Sequence, residues 1–118
     1  MEDFRFKKWK VYVDAKELFN IIFINYKQFP YDVKNTIGQQ IVRSSLSIIL
    51  NIAEGCGKSS DSEMNRFFNI SMGSVYETVA NLDILHDNKL VSSLSYQKLY
   101  KILLSIKKQL GGFKKKLK

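Results

Sequence analysis

Tyr96, Leu99, Leu103, Ile106, Leu110, Phe113 and Leu117 recur at alternating intervals of three and four residues. A helix with 3.6 residues per turn lines such positions along one face, so the segment from about Ser95 to the C-terminus predicts an amphipathic helix. The same rhythm returns three more times. Val11, Ala15, Leu18, Ile22, Tyr26 and Phe29 carry it over residues 8–28, and Phe19 and Ile21 widen the stripe. Ile37, Ile41, Ile48 and Ile52, flanked by Val42, Leu46, Ile49 and Ala53, carry it from Tyr31 to Glu54. Met64, Phe68, Ser71, Val75, Thr78, Leu82 and Leu85 carry it to the polar turn "HDNKL" at 86–90. No run has the two-residue alternation of a useful strand. Four such stripes on short connections predict an all-α, antiparallel up-down-up-down four-helix bundle, a single domain over residues 1–118.

The breaks between stripes have chemical causes. Phe29 precedes Pro30, and a residue before proline avoids helical dihedrals, so the first helix ends there. Ser60-Asp61-Ser62-Glu63 fits a capping box, with Ser60 capping and Glu63 reaching back to the Ser60 amide. Between them lies "NIAEGCGKSS", which predicts a helix C-cap at Gly55, a second flexible residue at Gly57 and then the new cap. Asn51, Glu54, Gly55, Ser60 and Glu63 are therefore read as a structural corner, with Asn51 and Glu54 tying the two central helices together. Gly111 and Gly112 cost the last turns about 1 kcal/mol each relative to alanine.

Several chemistries are disfavoured by composition. The only cysteine is Cys56, so neither an internal disulfide nor a cysteine-rich zinc site can form. The only histidine, His86, lies a whole helix away from it, about 40 Å at 1.5 Å per residue, which speaks against a Cys–His dyad. "GCGKSS" lacks the spacing of a phosphate loop and follows a helix where that loop follows a strand. We expect no catalytic residues, no metal, no cofactor and no enzymatic activity. The apolar runs "IIFI" and "SIIL" are far too short to span a membrane, and the N-terminus lacks an apolar signal core, so a cytoplasmic protein without a membrane partner is expected.

The net charge of +8 sits at the two ends. Arg5, Lys7, Lys8 and Lys10 crowd the first ten residues, and Lys107, Lys108, Lys114, Lys115, Lys116 and Lys118 crowd the last twelve; the body between is balanced. These ten residues, with Arg43 from the polar stripe Gln40, Arg43, Ser47, Asn51 and Glu54, are the candidate contacts to nucleic acid. A lysine-rich helix end that complements the helix dipole explains the tail equally well. Trp9, Tyr12, Tyr96 and Tyr100 suit base stacking, although heptad spacing favours core or subunit contacts. Tyr12, Phe23, Phe67, Ile84 and Tyr100 fall off the main stripes, which predicts exposed apolar surface and self-association.

Residues 47–82, "SIILNIAEGCGKSSDSEMNRFFNISMGSVYETVANL", resemble the central signature of a bacterial four-helix-bundle family. It includes proteins encoded in intervening sequences of 23S ribosomal RNA genes, and it is similar to the accessory protein of diversity-generating retroelements. The resemblance rests on Ser47, Asn51 to Gly55, Gly57-Lys58, Glu63, Arg66-Phe67, Gly73-Ser74 and Glu77, with Trp9, Phe29-Pro30, Gln40 and Arg43 upstream. Departures fall at Val42, where the family often carries a second basic residue, and at Ile49, near which it carries a proline. The resemblance implies a ring-shaped homopentamer without enzymatic activity. It also implies a surface for structured RNA or other nucleic acid and, by analogy with the retroelement branch, a nucleic-acid enzyme such as a reverse transcriptase as partner. Within it, the Gly73-Ser74 pair suits a close helix approach. The alternative is a protein-interaction scaffold with no direct role on nucleic acid.

Overall fold

Each apolar stripe becomes one wall of a shared core. The computed structural model describes residues 4–116, apart from the side chains of Lys114 and Lys115. A 3-10 turn at Arg5–Lys8 leads into α1 (Lys10–Gln28), followed by the single-turn α2 (Tyr31–Lys34), α3 (Ile37–Cys56), α4 (Asp61–Asp87) and α5 (Ser93–Lys116). The four long helices form a four-helix bundle in which α3 packs on α1 and α4, and α5 closes the ring between α4 and α1. Cross-helix bonds give the directions. Ser44 pairs with Thr78 and Ser47 with Ser74, so α3 and α4 run antiparallel. Asp14 near the start of α1 pairs with Gln109 near the end of α5, and Tyr96 near the start of α5 with Asp83 near the end of α4.

The core is the set of stripe residues, from Val11, Ala15, Leu18 and Ile22 on α1 to Leu99, Leu103, Ile106 and Leu110 on α5. At the α3–α4 seam the filling changes character. Ser44, Ser45, Ser71, Ser74 and Thr78 are all buried. The small hydroxyl side chains of Ser44, Ser71, Ser74 and Thr78 let the helices approach, and each of the five finds a partner: Ser71 donates to the Ile48 carbonyl at 2.9 Å, Ser44 and Thr78 meet at 2.8 Å, Ser74 meets Ser47 at 2.8 Å, and Ser45 bonds the Val42 carbonyl of its own helix at 3.1 Å. A buried hydroxyl without such a partner costs about 1–3 kcal/mol, so satisfaction is what makes this seam tolerable.

The expected second helix is broken. Asn35 and Thr36 interrupt it, because their side chains bond back to the Tyr31 and Asp32 carbonyls at 2.9 and 2.7 Å and compete with the helical ladder. α3 then restarts at Ile37 with Gly38 pressed against the preceding turn; a Cβ there would stand 2.8 Å from the Val33 carbonyl oxygen. The corner also differs from its sequence reading. Gly55 is not the cap: the helix runs on to Cys56 and is capped by Gly57 in ordinary right-handed geometry. Gly55 is instead buried against α4, where a Cβ would stand 2.9 Å from the Phe68 ring. The residue has to be small because two helices meet there.

The remaining corner residues divide. Ser60 accepts from the Glu63 amide at 3.1 Å, and the Glu63 carboxylate is exposed and makes no return bond, so half of the capping box forms. Asn51 donates to the carbonyl and hydroxyl of Ser47, whose hydroxyl meets Ser74 at 2.8 Å, and so links the helices through an intermediary. Glu54 ties nothing across the seam. It is exposed and lies 3.9 Å from Lys58 on its own side of the turn. Gly73 likewise faces open space, and its neighbour Ser74 alone makes the close approach. Phe67 is buried rather than exposed, whereas Phe23, Ile84 and Tyr100 do face solvent.

Candidate nucleic-acid interface

Three aromatic rings close one end of the bundle. Trp9 lies 5.1 Å from Phe113 and 6.3 Å from Phe68, and Phe68 lies 5.4 Å from Phe113. Trp9 and Phe113 come from the opposite ends of the chain, and Phe68 from the first turns of α4. This plug brings the start of α1, the end of α5 and the α3–α4 link to one pole. Several basic residues of the two chain ends lie at this pole. Arg5, Lys7 and Lys8 are exposed on the 3-10 turn, Lys10 is exposed at the head of α1, and Lys108 and Lys116 are exposed on the last turns of α5.

Part of that charge is already engaged. Lys10 Nζ lies 2.6 Å from Asp14 Oδ2, and the same carboxylate accepts from Gln109 at 2.8 Å and from Ser105 at 3.4 Å. Burial pushes the Asp14 carboxyl upward, but these donors and the Lys10 charge outweigh it and hold the pKa below the usual carboxylate value. The Asp14 knot fixes α5 against α1 and so sets the spacing of the surrounding lysines.

Arg43 does not join the pole. It stands thirteen residues before the end of α3, about 20 Å away at 1.5 Å per residue, and bonds Gln40 at 3.2 Å. Lys107 is drawn elsewhere, with its ammonium 5.3 Å from the Tyr76 ring centroid. Lys114, Lys115 and Lys118 fall outside the described side chains. Lys58, which the sequence reading left in the corner, does belong to the pole; it sits 5.0 Å over the Phe67 ring. Its sequence signal was its place in the turn that faces both chain ends.

The aromatic candidates have other duties. Trp9 belongs to the plug, and Tyr12 meets Phe6 edge-on at 4.9 Å. Tyr96 stacks on His86 at 4.4 Å and donates to Asp83 at 2.7 Å. That hydrogen bond, aided by partial burial and the nearby negative charge, raises the Tyr96 pKa above the ordinary tyrosine value. Tyr100 is exposed on a second surface, an open groove of about 320 Å³ between α4 and α5. Val75 and Leu103 floor it, Tyr76, Tyr100 and Leu104 rim it, and Asp83 and Lys107 also line it. Residues from two helices build this groove, most of them off the apolar stripes, so sequence reasoning missed it.

No three His, Cys, Asp or Glu residues among the described residues converge as metal ligands. No helix among them is long and apolar enough to cross a membrane. Cys56 and His86 end different helices at opposite poles.

An all-helical four-helix bundle with a basic, aromatic-plugged end is thus the class that fold and surface define. The model of the family described as 23S rRNA-intervening sequence protein matches residues 7–112, and the chain belongs to that family. A crystal structure of a protein of unknown function from the S23 ribosomal protein family of Bacteroides thetaiotaomicron has the same fold. It is 24% identical, with a TM-score of 0.80 over 89% of this chain and 98% of that one. No curated protein matches the sequence. Neither description names a catalytic activity.

Proposed function

We propose that this chain is a non-enzymatic, self-associating protein that binds structured RNA through its basic pole, as a homopentamer in the reading that the family resemblance suggests. The observation that carries the RNA reading is the meeting of the two basic ends around the Trp9–Phe68–Phe113 plug. A cluster of exposed ammonium and guanidinium groups at one end raises the local potential, and a phosphate backbone gains by releasing its counterions there. Lysines on helix ends read charge and shape rather than base edges, so sequence preference is weak. The Asp14 knot supplies rigidity, which keeps the cationic groups at fixed spacing and favours a folded RNA over a flexible strand.

The test is binding of a structured RNA across a salt series, with intact protein and with residues 114–118 removed. The intact protein should show a linear log–log decline, with a slope of about −0.7 to −0.9 per phosphate neutralised. The deletion should lower both affinity and slope while helicity persists. Unchanged binding would assign the tail to a helix end only, and charge reversal at Lys7 and Lys8 would then decide whether the pole binds at all. One observation favours a second reading, a scaffold for a protein such as a nucleic-acid enzyme: the α4–α5 groove offers an apolar floor with polar ends. In that case affinity for RNA would be indifferent to the lysines of both chain ends.

A further inference from the structure

The α4–α5 groove is flanked by opposite charges. Asp83 stands at the level of Tyr96, whose hydroxyl bonds it at 2.7 Å, and Lys107 lies eleven residues further along α5. At 1.5 Å per residue the two charges are about 16 Å apart along the helix axis. Between them the exposed Tyr76, Tyr100 and Leu104 leave an apolar surface uncovered.

A ridge of matching length lies on the outer side of α3. Arg43 begins it and Glu54 ends it, again eleven residues and about 16 Å apart. Leu46 and Leu50 project between them, 38% and 55% exposed. α3 and α5 both run toward the basic pole, so the order of charges is positive to negative on the ridge and negative to positive on the groove. A ridge laid into a groove with both bundles pointing the same way therefore sets Arg43 against Asp83 and Glu54 against Lys107, with the two leucines over the apolar floor.

We propose that the α3 ridge of one copy docks in the α4–α5 groove of the next. This inference rests on the self-association reading above and deepens it by naming the surfaces. The contact is heterologous, since ridge and groove are different faces of the same chain, and every copy keeps one of each free until the assembly closes. Same-sense packing puts all basic poles on one side. Arg43 and Lys107 thereby leave the set of nucleic-acid contacts and become contacts between copies.

The test is a charge-reversal cycle on the full chain, read by light scattering across a concentration series, with helicity checked by circular dichroism. Wild type should assemble. Arg43→Asp and Asp83→Arg alone should each raise the dissociation constant at least about tenfold, because like charges then face each other. The double variant should recover most of that loss. Leu50→Glu, on an exposed position that folding tolerates, should leave a helical monomer. Single reversals that leave a wild-type assembly intact, or a double variant that stays dissociated, would overturn the pairing while leaving self-association standing. A wild type that is monomeric at the highest concentration would overturn both.

Discussion

The Gln109 side-chain amide donates to the Asp14 carboxylate at 2.8 Å, a bond between residues 95 positions apart that joins the first long helix to the last. Because this carboxyl has a lower pKa folded than unfolded, it stabilises the fold at every pH above the ordinary aspartate value of about 3.9. That contribution is lost as the pH falls through the lowered folded pKa. Asp14→Asn should therefore destabilise the protein at neutral pH and leave stability less dependent on pH below about 4. Denaturant melts at several pH values check this, and parallel acid limbs for variant and wild type would refute it.

Gly55 and Gly73 should respond to alanine with opposite signs. At Gly55 a Cβ would crowd the Phe68 ring at 2.9 Å, and overpacking of this kind costs about 1–3 kcal/mol. At Gly73 nothing lies within 4 Å, so alanine should stabilise by up to about 1 kcal/mol through helix propensity. Urea midpoints of the two single variants measure the contrast.

Glu54→Ala should change stability by less than about 1 kcal/mol, since an exposed ion pair at 3.9 Å contributes little. A loss beyond that range in thermal melting, in the Leu50→Glu background that keeps copies apart, would restore Glu54 as a tie of the corner.

Lys89 closes the end of α4 with φ at 61°, and the Leu90 amide reaches back to the Leu85 carbonyl at 2.9 Å. A side chain in this left-handed conformation carries a cost of about 1–2 kcal/mol that glycine avoids. Lys89→Gly should raise the melting temperature, although part of the gain is offset by the greater freedom of glycine in the unfolded chain.

The stripes made the bundle legible. Leu99, Leu103, Ile106 and Leu110 were bound to face inward whatever their partners, because period and polarity are local properties. Gly55 was misread because a glycine after a helical run looks the same whether it ends the helix or admits a neighbour; only the Phe68 ring decides. Asn35 and Thr36 broke a helix that the isoleucine pattern would have continued, through side-chain bonds that periodicity does not register. At the candidate interface the sequence displayed the charges of both ends, but not that a Trp9–Phe113 contact would unite them while Arg43 stayed apart. The groove depended on two helices at once, and no single segment carried its signal.

The hydroxyl seam between α3 and α4 bears on the order in which the molecule comes together. Its cross-helix bonds span 23 to 37 residues across one short link, whereas those between α1 and α5 span 91 to 95. Loop closure disfavours the distant pairs, so the central hairpin is suited to nucleate and the outer helices to dock onto it later. The lysines of the two chain ends are then the last parts of the protein to become neighbours. A newly made or partly unfolded chain would hold its positive charge dispersed, and the basic pole would come into being only with the final docking event.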